Sequence, residues 1–415
     1  GTTQVVFRPD DDSELHAKAG ELGAEYVIAV RGEVSERPDG MINPDLPTGD
    51  VELVARELLV LNASLTPPFV LEEPVKASDE LRLEYRYLDL RRPHMQRLIE
   101  ARHVAAHATR AYLTEQGFLE IETPLLAKKT PEGARDFVVP SRLHPGKVYA
   151  LPQSPQLYKQ ILMVGGCDRY FQIARCLRDE DLRSDRQPEH TQIDFEMSFV
   201  TEDDVFGVAE GLMQSIWRAV RGDELTVPFP RLAYREAMQR FGTDKPDVRF
   251  GLEIVDLTSA LRESEFKVFR SVVEGGGVVR CLNASGCAGW SRKDIDTKEA
   301  LAKKWGAKGL AWAKVDGGSL TGGISKFMSE GEVAAIIERT AATDGDIILF
   351  VADKEATVAR VLGNLRVALR DELSLVSADE FAFTWVTEFP LFAWNEESGA
   401  WETEHHMFSM PREQD

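Results

Sequence analysis

Residues 175–199, RCLRDEDLRSDRQPEHTQIDFEMSF, most constrain the fold. Their first twelve positions hold four arginines and four carboxylates, and an alternating apolar and polar run follows. In YFQIARCLR, Gln172, Ala174, Cys176 and Arg178 fall on one face of an extended chain, and Phe171, Ile173, Arg175 and Leu177 on the other. In TQIDFEMSF, Ile193, Phe195, Met197 and Phe199 share a face, and Gln192, Asp194, Glu196 and Ser198 share the opposite one. An antiparallel pair of these strands is expected to bury the apolar face and present Arg178, Asp194 and Glu196 together on the other. The connecting DEDLRSDRQPEH is too long for a tight hairpin turn and too charged to pack inward. Composition alone reads it as a solvated ion-pair loop over a sheet edge. The chemical alternative is a polyanion clamp, in which an arginine at the strand end binds phosphate and nearby acids accept donors from an amine or ribose.

The flanking chain divides by texture. GTTQVVFRP, YVIAVRGEV and VELVARELLVLN read as strands with a helix over about 13–24, the back half of a small β-barrel. Residues 65–92, rich in proline and charge, read as a linker. A helical stripe runs from Pro93 to Gly117, and FLEIETPLL follows as a strand carrying Pro124. Between about 250 and 378, helical and strand patterns alternate, giving a compact α/β unit. The aromatic strand texture of FAFTWVTEFPLFAW then resumes, so the α/β unit reads as an insertion in an antiparallel domain. The terminal sequences GTTQVVFRP and HHMFSMPREQD both read as cut ends.

At 415 residues, with 43% hydrophobic and 28% charged residues, the chain fits two or three globular domains. No apolar run approaches the roughly 20 residues that span a bilayer, and no signal-peptide pattern opens the chain, so a cytoplasmic protein is expected. Net charge of −20 excludes generic nucleic-acid binding by bulk charge but leaves a local basic surface open. Cys167, Cys176, Cys281 and Cys287 form no zinc or disulfide pattern. No phosphate loop or GxGxxG fingerprint occurs, so a bound nucleotide must be neutralised by side chains.

Three further stretches carry candidate chemistry. TPEGARDFVVP (130–140) reads either as a surface loop or as a lid offering Glu132 to a ligand cation. LPQSPQLYKQ (151–160) gathers Ser154, Gln156 and Lys159 at a helix start, either an ordinary start or an attractor of carboxylates. His405 and His406 of HHMF read from sequence alone as surface histidines.

Together these stretches resemble the bacterial-type aspartyl-tRNA synthetases of class II over nearly the whole chain. GFLEIETPLL resembles motif 1, RCLRDEDLRSDRQPEHTQID motif 2, TPEGARDF the flipping loop, LPQSPQLYK the amino-acid-binding segment and RYLDLRR the hinge. The resemblance implies an α+β fold: a partial OB-fold anticodon-binding domain (1–64), a linker (65–92), a class II antiparallel-sheet catalytic domain (93–249), an inserted GAD-type α/β domain (250–378), and the catalytic domain continued (379–415). It implies a ligase that activates L-aspartate with ATP and transfers it to tRNA(Asp), with or without tRNA(Asn), acting as a homodimer through the motif 1 region.

Residue by residue, the resemblance places Arg178 on the ATP α-phosphate and the substrate carboxylate as the catalytic group. Asp179, Glu180, Gln187 and His190 fall on the nucleotide, with His190 where the family carries phenylalanine. Glu132, Ser154, Gln156 and Asp194 surround the substrate ammonium, while Lys159, His405 and His406 close on its side-chain carboxylate. Met407 replaces a proline of the family. Gln4, Arg37 and Glu52 fall at anticodon positions. Motif 3 and the ligands of the Mg²⁺ that accompanies ATP are expected beyond residue 415, so residues 1–415 alone are expected to be nearly inactive. The alternatives are a relative acting on asparagine or lysine, and a non-catalytic tRNA-binding or dimerisation module derived from a synthetase.

Overall fold

The computed structural model describes residues 2–38, 40–130, 132–181, 186–395 and 398–404. The chain forms two compact units, residues 1–111 with 216–222 and residues 112–215 with 223–415.

In the first unit, strands β1 (Val5–Val6), β2 (Val27–Glu36) and β3 (Val51–Asn62) form a sheet of order β1-β3-β2, with β1 parallel and β2 antiparallel to β3. Helix α1 (Ser13–Gly20) is capped by the Asp12 carboxylate on Leu15 N and ends four residues before the expected limit. Val54, Ala55 and Leu58 of β3 are buried beneath it. The three strands form an open sheet rather than a closed barrel.

The stretch read as a linker is ordered around one carboxylate. Short helices α2 (Asp79–Glu84) and α3 (Arg86–Asp89) lead to Asp89, which is fully buried and paired with Arg82, Arg86 and Arg92. Arg92, itself buried, also donates to both oxygens of Glu73, each at 2.9 Å. The charges of RYLDLRR that suggested solvated chain are therefore spent on one another. Helix α4 (Pro93–Glu115) starts on its proline as the sequence predicts.

In the second unit, α4 closes at Gly117, whose φ of +82° suits a residue without Cβ. The expected strand FLEIETPLL pairs only over β4 (Leu119–Glu120), parallel to β7. Ile121 N adds one more bond to Phe171 O, and Pro124 has no N–H with which to extend the ladder. A hairpin of β5 (Val138–Pro140) and β6 (Val148–Ala150) precedes helix α5 (Gln156–Val164). Strands β7 (Arg169–Leu177) and β8 (Glu189–Met197) pair antiparallel with Gln172 opposite Asp194 and Cys176 opposite His190.

The burial of the two faces differs from expectation. Phe171 is fully buried and Phe195 packs edge-on to Phe118, but Ile193 on the same face is 42% exposed. The polar face is the better covered one, with Tyr170, Gln172, Ala174, Cys176 and Asp194 all buried. The reason is Lys159 on α5, which reaches across this face to Asp194 and Glu196.

Helix α6 (Glu202–Arg221) has three acidic residues in its first turn, favourable at a helix N-terminus. Strand β9 (Arg231–Ala233) and helix α7 (Tyr234–Phe241) follow. Then β10 (Val255–Asp256), α8 (Lys267–Glu274), β11 (Val278–Ala284), α9 (Arg292–Lys304), β12 (Ala311–Asp316), β13 (Ser319–Thr321), α10 (Glu330–Thr340), β14 (Ile347–Asp353) and α11 (Glu355–Glu372) build an antiparallel sheet of order β10-β11-β14-β12-β13. Its central strand β14 is apolar and buried throughout Ile347–Val351, because both faces are covered. After it, β15 (Trp385–Thr387) returns to pair in parallel with β9, and β16 (Phe392–Asn395) and β17 (Ala400–Thr403) form a hairpin.

Asp247, before this sheet, accepts from Arg249 Nε at 2.9 Å and Nη2 at 2.8 Å, and from Arg370 Nη1 at 2.8 Å. The Arg249 hydrogen bonds, supported by Arg370 against burial, hold this carboxyl well below the usual carboxylate range. A depressed folded pKa gives stability that is present above the unfolded value near pH 4 and lost as pH falls through the folded one. Asp247→Asn is expected to cost about 2 kcal/mol at pH 7, with the gap to the parent shrinking below pH 4. Urea titrations at pH 7 and pH 3 check this, and an equal gap at both would contradict it.

Candidate active site

The site is built on the polar face of β7 and β8. Side chains alternate along a strand, and the observed register puts Gln172, Cys176, His190, Asp194 and Glu196 on one side. Helix α5 brings Lys159 to this face, where Nζ lies 2.9 Å from Asp194 Oδ1 and 3.1 Å from Glu196 Oε2. Burial pushes the Asp194 carboxyl up, against the pull of Lys159. Burial alone would lower Lys159, but the bonds and charges of Asp194 and Glu196 outweigh it and raise its pKa, so the ammonium is kept. One ammonium between two carboxylates leaves a local excess of one negative charge, which suits a ligand ammonium.

A second acidic position comes from the loop before β5. Glu132 accepts from Thr130 Oγ1 at 2.8 Å and from Ser154 Oγ at 2.6 Å. Ser154 Oγ also accepts from Gln156 N at 3.3 Å, at the start of α5, whose cap residue Pro155 offers no side-chain bond. Glu132, Ser154 and Gln156 are thus brought together, as are Lys159 and Asp194.

Arg178 follows β7. Its backbone N donates to Pro188 O at 2.7 Å, and its Nε to Gln153 O at 3.4 Å. It lines a cleft of about 330 Å³ with Glu180, Asp181, Arg186, Gln187, Pro188 and His190. Arg186 and Glu180 approach to 3.8 Å. Asp179 N donates to Arg135 O at 3.0 Å, so the loop carrying Glu132 is laced to the residue after Arg178. Burial first, and Arg178 second, push the His190 imidazole below its ordinary value, with Glu180 opposing. A neutral ring is therefore the form that lines the cleft at pH 7.

Cys176 lies between these groups without their reactivity. Burial raises its thiol to about 11, with Arg178 opposing, and its Sγ points to Gln192 Oε1 at 2.8 Å. A thiol held protonated is not a nucleophile.

Several neighbours carried no signal in the sequence. Glu196 is the second carboxylate on Lys159. Tyr170 Oη and Thr123 Oγ1 both donate to Gln172 Oε1, at 2.9 and 3.0 Å, which fixes Gln172 opposite Asp194. Gln153, 1% exposed, holds the loop at Ala134 and Asp136. His405, His406 and Met407 lie outside the described residues, as do Arg183 and Asp185. Among the described residues no cluster of three or more His, Cys, Asp or Glu side chains could hold a metal ion. No helix among them is long and apolar enough to cross a membrane.

In the first unit, Gln4 Nε2 donates to Glu52 Oε2 at 3.3 Å, and Arg8 pairs with Glu52 Oε1 at 3.1 Å. Glu52 is buried. Arg37, buried as well, donates through Nε to Val51 O at 3.1 Å, while its Nη2 finds no protein acceptor among the described residues.

The family profile described as tRNA synthetases class II (D, K and N) matches residues 78–415. The chain is 52% identical over 416 residues to the Aspartate–tRNA(Asp/Asn) ligase of Desulfatibacillum aliphaticivorans, covering all of this chain and 70% of that protein. It is 52% identical over 415 residues to the Aspartate–tRNA(Asp/Asn) ligase of Moorella thermoacetica, covering 69% of it. A solved asparaginyl-tRNA synthetase from Pyrococcus horikoshii, complexed with asparaginyl-adenylate, aligns with a TM-score of 0.49 at 19% identity, over 89% of this chain and 87% of that one.

Proposed function

This chain belongs to the class II tRNA synthetases (D, K and N), and on that premise we propose that it is an aspartate–tRNA ligase charging both tRNA(Asp) and tRNA(Asn). Full-length identity of about half to relatives of that name supports the ligase over a non-catalytic module, and their names support both tRNAs. The observation that carries the chemical reading is the shared face of β7 and β8. There the Lys159, Asp194 and Glu196 cluster adjoins the cleft lined by Arg178, in a sheet whose register fixes both.

In the first step, one oxygen of the aspartate α-carboxylate attacks the α-phosphorus of ATP. A P–O bond forms, the bond to the β-phosphate oxygen breaks, and pyrophosphate leaves. The carboxylate is already ionised near neutrality, so no general base is required. The difficulty is bringing two anions together in line, and the Arg178 guanidinium answers it by bridging phosphate and carboxylate. Glu180, Gln187 and Asp179 take the nucleotide, and the neutral His190 ring stacks on adenine. In the second step, the terminal ribose hydroxyl of the tRNA attacks the acyl carbon and AMP leaves. Mg²⁺ enters with ATP and screens its phosphates; no group of carboxylates among the described residues fits it, and no step here depends on one.

The substrate's ammonium meets Glu132, Ser154, Gln156 and Asp194, where charge is in negative excess. Its side-chain carboxylate meets Lys159, with His405 and His406 closing on it. An asparagine side chain would leave that ammonium facing an amide dipole in place of a charge, which is the source of selectivity. Gln4, Arg37 and Glu52 contact anticodon bases, within a partial OB-fold over 1–64. Residues 250–378 are an inserted domain of the GAD type, between the catalytic portions 93–249 and 379–415. The working form is a cytoplasmic homodimer joined through the motif 1 region around residues 117–126.

Aspartate-dependent exchange of pyrophosphate into ATP tests the reading in the complete protein. Aspartate is expected to support exchange at least about 10³-fold better than asparagine or lysine at equal concentration. Equal support by asparagine would overturn the assignment. Aminoacylation of purified tRNA(Asp) and tRNA(Asn) is expected to proceed with both.

A further inference from the structure

We propose that Gln153 is a positioning residue that ties the loop carrying Glu132 to Arg178, so that the amino-acid and nucleotide halves of the site are set by one side chain. The proposal rests on the ligase reading above and names a group it does not use. Gln153 is 1% exposed and sits just before Ser154. Its Nε2 donates to Ala134 O at 2.9 Å and Asp136 Oδ1 at 2.6 Å, and its Oε1 accepts from Ala134 N at 3.1 Å. The amide orientation is fixed by these partners, since the reverse would set Oε1 against two acceptors. Bonding both the N–H and the C=O of one residue is how a neighbouring strand would hold Ala134, so the side chain serves as a one-residue strand.

Two consequences follow from chain geometry. Glu132 is two residues before Ala134, and two residues span at most about 7 Å, so pinning Ala134 confines the Glu132 carboxylate to the neighbourhood of Ser154. Arg135, one residue on, bonds through its carbonyl to Asp179 N at 3.0 Å, and the Gln153 carbonyl accepts Arg178 Nε at 3.4 Å. The backbone of Gln153 therefore aims the guanidinium while its side chain aims the loop. A shift in one is transmitted to the other through contacts already made.

Gln153→Met keeps the length and removes the three side-chain bonds. In aspartate-dependent exchange it is expected to raise the aspartate KM about tenfold or more, with the KM for ATP changed less than twofold, since the carbonyl that holds Arg178 remains. If the effect runs through Glu132, it must fall below twofold in a Glu132→Ala background; an equal tenfold rise there would overturn the proposal. Backbone hydrogen exchange supplies a readout independent of catalysis and of the variant's stability. In the unsubstituted protein, segment 133–136 is expected to exchange at least tenfold more slowly than an unbonded loop, through the Ala134 N–H, and unprotected exchange would overturn the clamp. If the unsubstituted protein shows no aspartate-dependent exchange, the ligase reading fails while the hydrogen-exchange arm still decides the clamp.

Discussion

Arg178→Ala is expected to lower aspartate-dependent ATP–pyrophosphate exchange by about 10³-fold, with little change in melting temperature. The size follows from what the side chain is asked to do. Two anions must approach within bonding distance, and a guanidinium presents parallel N–H donors to oxygens on both. Its position leaves little freedom: the backbone N is held by Pro188 O at 2.7 Å and Nε by Gln153 O at 3.4 Å, so the fork has a fixed bearing on the cleft. Arg178→Lys keeps the charge but loses the planar fork, and is expected to recover no more than about a tenth of the parent rate. Arg175 is the control. It projects from the opposite face, half-exposed and paired with Glu189, and its alanine variant is expected to stay within twofold of the parent, as surface pairs contribute little. Arg178→Ala activity within tenfold of the parent would remove the phosphate role and with it the proposed mechanism.

What the sequence made legible, and what it hid, divides along a physical line. Alternation along 169–197 has a period of two, and the register that pairs Gln172 with Asp194 is the one this alternation demands. The start of α5 was equally readable, because proline sits where a helix begins and Lys159 lies on its first full turn. The covering of the polar face was not, since alternation says which side chains share a face and not which face a later helix will cap. Gln153 left no trace because its partners are backbone atoms some nineteen residues earlier in the chain, and an amide in a polar run looks like any surface amide. Asp89 was misread for a related reason. A carboxylate among arginines reads as solvated charge, and only the turn from α2 into α3 brings Arg82, Arg86 and Arg92 around it in space.

Arg366 is the strongest case of a hidden residue, and its replacement is the larger structural test. In LGNLRVALRDE it looks like one more surface charge on an amphipathic helix, yet it is 1% exposed, on the stripe of Leu362, Leu365 and Leu369. Its Nε donates to Leu252 O at 3.1 Å, and its Nη2 to Asp247 O, Phe250 O and Gly251 O at 2.8, 2.9 and 3.0 Å. The guanidinium carbon lies 3.9 Å from the ring centre of Phe250 and 4.8 Å from that of Phe241. Burial lowers its pKa to about 10, so it remains a cation at pH 7. Beside it, α11 crosses the end of α7 so closely that a Cβ on Gly242, at φ +72°, would stand 2.2 Å from Ala359 O. This crossing allows the guanidinium to reach the carbonyls at the entry to the 250–378 segment. Arg366→Leu fills the space with apolar atoms but leaves these carbonyls facing them, each costing about 1–3 kcal/mol when unsatisfied. A total loss of about 4 kcal/mol is expected, a large share of the stability of one domain. Urea unfolding of the complete protein, followed by tryptophan fluorescence and by hydrogen exchange of α11 and of residues 247–252, measures it. A loss below 1 kcal/mol would mean that water or a shifted backbone replaces the lost donors, and that the cation is not what holds α11 to the segment it closes.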